Sequence, residues 1–300
     1  MDNVFTNRLR KKNFSLPEAY GSQFVKRVFQ RKDMLFALAA LLLFAGLSIF
    51  APLLSPYDPN AIDLKNKNLN PSEEHLLGTD YLGRDLLSRI LIGARTSLSI
   101  ASGVVLISLF LGTATGCAAG YYGGFVDESI SRVTDIFLSF PSVIFALTIM
   151  GALGAGVFNL MLALSIVHWA KYARMMRGQV LSIKKQEFVL SAITGGAGDF
   201  YIIRKHIVPN AIATLFVLAT IDFGHVILSI ATLSFLGIGL PADVPEWGAM
   251  LSAGKEFMRT APYQTIFPGL AITFIVIIFS ILGDGMRDIL DPNHEGGEID

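Results

Sequence analysis

The 300-residue chain is 52% hydrophobic and only 16% charged, with a mean hydropathy of +0.55, a balance too apolar for an ordinary soluble domain of this size. Its formal net charge is zero, so the total gives no argument for nucleic acid or an acidic partner, and only the distribution of charge along the chain is informative. The single cysteine, Cys117, excludes an internal disulfide and a cysteine-based zinc site, and its apolar neighbours predict inert packing.

Residues 1–33 are polar and basic, carrying Arg8, Arg10, Lys11, Lys12, Lys26, Arg27, Arg31 and Lys32. They form a leader in which 20–31 interleaves Phe24, Val25, Val28 and Phe29 with cations, either an amphipathic helix on an anionic leaflet or a basic tail without structure. Met34 to Leu54 is an uncharged apolar run, long enough at ~1.5 Å per residue to cross a ~30 Å hydrocarbon core and too long for a signal-peptide core. It predicts a retained anchor, stopped by Pro52, Pro56 and Pro59. Residues 55–96 form the one sizeable segment outside the membrane on the far side. Within it, Gly78 and Gly83 have the spacing of a phosphate loop, but Arg84 and Asp85 stand where Lys and Ser or Thr are needed. A turn at Gly78, Thr79 and Asp80 followed by a helix with Leu86, Leu87, Ile90 and Leu91 on one face is the better reading.

A core of five helices is expected over 97–283. Its first helix, the second span, covers about Leu98 to Ala119, with Gly112, Gly116 and Gly120 at intervals of four, a strip on which another helix can pack closely in lipid. After a short polar connection at 121–132, a third span covers 133–153 with Pro141 inside it, and a fourth covers 157–173. Asn159 and His168 are expected to be interhelical hydrogen-bond partners there. Residues 187–210, EFVLSAITGGAGDFYIIRKHIVPN, then interrupt the apolar pattern. Helical character from Lys184 to Thr194, a turn at Gly195, Gly196 and Gly198, and a second helix capped by Asp199 and ended by Pro209 predict a projecting helix-turn-helix. The fifth span, 211–233, carries Asp222 and His225, which three-residue spacing puts on one face as candidates for lining a translocation path, the alternative being a plain hydrogen bond within the bundle. A loop over 237–260 precedes the sixth span, 266–282, and residues 284–300 form a short tail.

Six spans predict an all-α polytopic membrane protein with both termini on one side. Of the 24 Lys and Arg residues, 17 fall on that side with 187–210, against seven opposite, so the positive-inside rule makes the termini and the projection cytoplasmic. Neither an HExxH pair nor a defensible Ser/His/Asp arrangement occurs among the scattered histidines, which disfavours a membrane enzyme and any metal site. No convincing internal repeat argues for a secondary transporter.

The 187–210 segment resembles the EAA loop of bacterial ABC importer permeases, matching at Glu187, Val189, Ala192, Gly196, Ala197, His206, Ile207, Pro209 and Asn210. Residues 75–95, 233–251 and 283–292 are similar to the second permease type of the dipeptide/oligopeptide/nickel family, so the likeness covers nearly all of 34–292. It implies the type I importer permease fold, in which this loop is a coupling helix-turn-helix seated on a separate ATPase. The coupling residues would be Glu187, Leu190, Ser191, Ala192, Ile193, Gly195, Gly196, Gly198 and Asp199. The implied partners are a homologous second permease forming a heterodimer, two ABC ATPase subunits, an extracytoplasmic solute-binding protein and membrane lipid, with no nucleic acid. This chain would bind no cofactor, ATP and Mg belonging to the partner subunits in a bacterial inner membrane. The solute would be a peptide or related small molecule, the alternative being a self-sufficient secondary transporter or channel. Departures from the pattern fall at Leu190, where the family has glutamate, and at Ser191, Ile193 and Gly195. Apolar docking by Leu190 and Ile193 would then replace a charged anchor.

Overall fold

The computed structural model describes residues 28–29 and 31–290. Most of the expected leader helix, and the tail beyond 290, lie outside them. Helix α1, Lys32–Ile49, is the anchor, broken at Phe50 before a short helix α2, Ala51–Leu54, that takes Pro52 in its first turn, where a missing N–H costs nothing. Arg31 holds Asp33 and, at 2.6 Å, Asp288, tying the start of α1 to the last helix.

Helix α3, Leu86–Tyr122, is 37 residues long and merges the expected far-side helix with the second span. Asp85 starts it by accepting from the Ser88 N–H and hydroxyl at 2.8 and 2.7 Å, and Gly123, with φ of 68°, ends it. At about 55 Å it is far longer than a hydrocarbon core, so it protrudes. The connection expected at 121–132 is instead the start of an amphipathic helix, α4, Gly124–Ser139. A bend of 94° at Phe140 and Pro141 separates it from α5, Ser142–Leu153, because the residue before proline is driven out of the helical region. Helix α6, Val157–Ile183, follows.

The projection comprises α7, Glu187–Thr194, and α8, Asp199–Ile202. Pro209 does not end the second arm. A π-helical turn, Ile203–Ile207, carries α8 directly into α9, Val208–Phe235, and Pro209 sits in the first turn of α9, where the wider turn accommodates it. The far-side loop contains a short helix, α10, Trp247–Gly254, and the chain closes with α11, Tyr263–Leu290.

Among the described residues, four helices are long and apolar enough to cross a membrane: Lys32–Ile49, Leu86–Tyr122, Asp199–Phe235 and Tyr263–Ile289. Counting the bent pair α4–α5 as one broken span gives five. The helix that keeps the count below six is the expected fourth span, α6, which has the length, but Asn159, His168, Lys171 and Arg174 dilute its apolar run.

The most extensive packing joins α3 to α6, along the glycine strip. A Cβ added to Gly112 would lie 2.8 Å from the Trp169 carbonyl oxygen, and one on Gly116 would lie 2.4 Å from that of Ala173. These glycines let two backbones meet where lipid gives no hydrophobic drive to association. Cys117, next to Gly116, is buried in the apolar core as expected.

Candidate functional site

Gln186, in extended conformation, starts α7, which anchors itself by one residue, the fully buried Val189, with Ala192 half-buried beside it. The turn depends on Gly196, whose φ of 79° only glycine adopts without strain, and it brings the Ala197 N–H to the Ala192 carbonyl at 3.1 Å. Ile202 and Ile207 bury the second arm. Ala197 and Ile203 pack half-buried beside them, and most of the remaining loop faces outward. Phe188, Leu190, Ile193, Phe200 and Tyr201 are exposed, Phe200 by 74%, bordered by Glu187, Ser191, Gly195, Gly198, Arg204 and Lys205. Five large apolar side chains on one short projection form the kind of patch that marks a contact surface. His206 stands between the arms, its ring 5.9 Å from Phe188 and 5.6 Å from Tyr201.

Asp199 does not cap α8; Gly198 occupies that position. Its carboxylate accepts instead from the Tyr121 hydroxyl at 2.8 Å, while Lys184 donates to the Tyr121 carbonyl at 2.5 Å and lies over its ring. The root of the first arm and the start of the second are therefore latched to the last turn of α3. No local pattern in the sequence signals Tyr121, since its partners are far away in the chain. Tyr121→Phe is expected to cost about 2 kcal/mol, one neutral-to-charged hydrogen bond, and to hasten proteolysis within 187–202; an unchanged cleavage rate would remove the latch.

Asp222 and His225 do not share a surface. Asp222 is 1% exposed and faces α6, where it accepts from His168 Nδ1 at 3.1 Å, the Tyr172 hydroxyl at 2.9 Å and the Lys171 ammonium. His225, about 60° further around α9, is exposed. His168 is the interhelical partner expected of it, whereas Asn159 bonds only locally, to the Leu153 and Gly154 carbonyls at 2.8 and 3.2 Å.

At the opposite end of α3, the two far-side stretches meet. Asp80 accepts from Arg84 Nε at 2.6 Å, and Arg89 donates to the Pro59 carbonyl at 2.9 Å and the Ala242 carbonyl at 3.1 Å. Glu246 caps α10 through the Gly248 and Ala249 N–H groups, both at 2.8 Å, and accepts from Ser97 of α3. The Trp247 indole donates to the Ile90 carbonyl at 3.1 Å. Gly78 and Gly83, both at positive φ, serve this fold rather than a phosphate, since a Cβ on Gly83 would lie 1.8 Å from the Asp63 carbonyl oxygen. Among the described residues no cluster of His, Cys, Asp or Glu could hold a metal ion.

Residues 112–295 match the family described as binding-protein-dependent transport system inner membrane component, and 20–71 match the N-terminal TM domain of oligopeptide transport permease C. The chain is 42% identical to the nickel transport system permease protein NikC of Escherichia coli K12 over 86% of its length and 93% of the relative. It is 41% identical to the dipeptide permease DppC of Alkalihalophilus pseudofirmus, over 89% of the chain and 88% of the relative. The glutathione permease GsiD of Escherichia coli O6:K15:H31 is also 41% identical, over 90% of both chains. In fold it is similar to the inward-facing methionine ABC transporter MetNI, with a TM-score of 0.56 at 17% identity, over 68% of this chain and 97% of that one.

Proposed function

The chain belongs to the binding-protein-dependent transport inner membrane components, the permease subunits of ABC importers, and from that premise we propose that its 187–201 projection is the surface through which a separate ATPase drives it. The chain is a multi-pass, nearly all-helical membrane protein. The observation that carries the proposal is the exposed apolar group Phe188, Leu190, Ile193, Phe200 and Tyr201 on a loop whose two roots continue into α6 and α9. A partner seated there would push on two bundle helices at once. Glu187, Ser191, Ala192, Gly195, Gly196, Gly198 and Asp199 complete the coupling site, with Leu190 and Ile193 as its apolar anchors.

The partners proposed with it are two ATPase subunits, which would bind ATP and Mg and perform the hydrolysis, a related second permease, and a solute-binding protein on the far side. The charge distribution supports cytoplasmic termini and a cytoplasmic projection. The solute proposed is a peptide or related small molecule, in keeping with relatives named for dipeptide, glutathione and nickel transport. His225, exposed at mid-helix in α9, is proposed to line the path, since an ionisable group at that depth is stable only against protein or water.

Purification of the tagged chain from mild detergent tests the assembly. An importer subunit brings down an ATPase and a second permease. A chain that purifies alone and moves solute in liposomes without ATP would be a self-sufficient carrier or channel instead.

A further inference from the structure

The two helices that leave the projection are pinned to each other about four turns, roughly 21 Å, above it, because Asp222 lies that far past Val208 in α9 and His168 that far before Ile183 in α6. All three of the donors to Asp222 come from α6: His168, Lys171 and Tyr172, spaced so that they share one face of that helix. The carboxylate is 1% exposed. A slip of α9 along α6 by a single ridge would strip it of these donors inside an apolar bundle, a costly state for an ionised group. Tyr172 is itself held from behind. A Cβ on Gly112 would lie 2.3 Å from the Tyr172 Cβ, so α3 backs the residue that reaches Asp222. The other contacts between α6 and α9 do not resist sliding in this way, since lipid tails are as apolar as the side chains they would replace.

We infer that Asp222 is a positioning residue for transport: it locks α6 to α9, so that both helices rooted in the projection turn as one body when the projection is driven. Movement applied below then reaches the membrane interior without being lost as shear between the two. This rests on the importer reading above, and it assigns Asp222 to force transmission and not to contact with solute.

The test uses the whole complex in lipid nanodiscs, with Cys117→Ala and spin labels on Leu181→Cys in α6 and Phe216→Cys in α9, both exposed positions. The distance between labels is measured without nucleotide and after trapping with ATP and vanadate. With Asp222 present the distance is expected to be the same in both states. With Asp222→Asn it is expected to shift or broaden by about 2 Å between states, the size of helix translations seen in switching proteins. A distance that stays fixed in the variant overturns the inference, as does a wild-type distance that already changes. If Asp222→Asn fails to assemble, Tyr172→Phe removes one donor while keeping the ring against Gly112; broadening supports the lock and an unchanged distribution overturns it. A wild-type preparation that hydrolyses no ATP overturns the importer reading first, and this one with it, whereas a fixed distance in an active variant overturns this one alone.

Discussion

Leu190→Asp combined with Phe200→Asp is expected to stop uptake while leaving the chain in the membrane at its usual abundance. Both side chains stand on the outer surface of the projection and touch little of the bundle, so the fold loses almost nothing. A docked ATPase would lose two apolar anchors and meet two desolvated charges. At about 2 kcal/mol for each central anchor, docking weakens by roughly 4 kcal/mol, close to a thousandfold. Pull-down of the ATPase reads this directly, and retained ATPase at normal uptake would show that another surface carries the contact. Leu190→Glu, which restores the family's acidic residue, is expected to weaken docking as well, because the partner's groove must accept an apolar side chain at this site. A gain in affinity for that variant would assign the groove a basic character.

Gly116→Leu is expected to act on the bundle itself. The new Cβ would stand 2.4 Å from the Ala173 carbonyl oxygen and 2.8 Å from the Met176 Cβ. The first of these atoms is backbone and moves only if α6 moves. Overpacking of this kind costs about 3 kcal/mol, and here it levers α6, the helix that supports the projection, away from α3. The expected readings are a lowered thermal midpoint for the purified complex and poor recovery of the second permease with it. Gly46→Leu is the control, since nothing lies within 4 Å of a Cβ at that position. Equal midpoints for the two variants would mean that the glycine strip is not the contact that holds α3 to α6.

Much of this architecture is legible in the sequence, for reasons that differ by element. Apolar runs announce themselves because lipid imposes both composition and length, so α1, α9 and α11 fall close to their expected places. The glycines at 112, 116 and 120 predict close packing because a four-residue repeat of missing side chains has one mechanical use. Helix ends are harder. Pro209 reads as a stop, yet the π-helical turn before it lets the chain continue, and nothing in the local sequence encodes that choice. The helix beginning at Leu86 is legible from its apolar face, but its continuity with the second span is hidden because Arg89 and Arg95 interrupt the apolar pattern, although Arg89 is buried and held by the Pro59 and Ala242 carbonyls. At the projection, the exposed apolar anchors are visible as Leu190 and Ile193 on a short helix. The Tyr121 latch and the Asp222 cluster are not, because each joins residues that only tertiary structure brings together. His225 illustrates the limit of spacing arguments: three residues from Asp222, and only about 60° around the same helix, it is exposed while Asp222 is buried.

The accessibility of a cysteine at position 193 tests the coupling account most directly. In a Cys117→Ala background, Ile193→Cys should resist a membrane-impermeant maleimide applied to intact cells. It should react in inverted vesicles stripped of the ATPase, and become shielded when that subunit is added back. Labelling from outside the cell, or labelling that the ATPase leaves unchanged, would contradict the assignment of this surface.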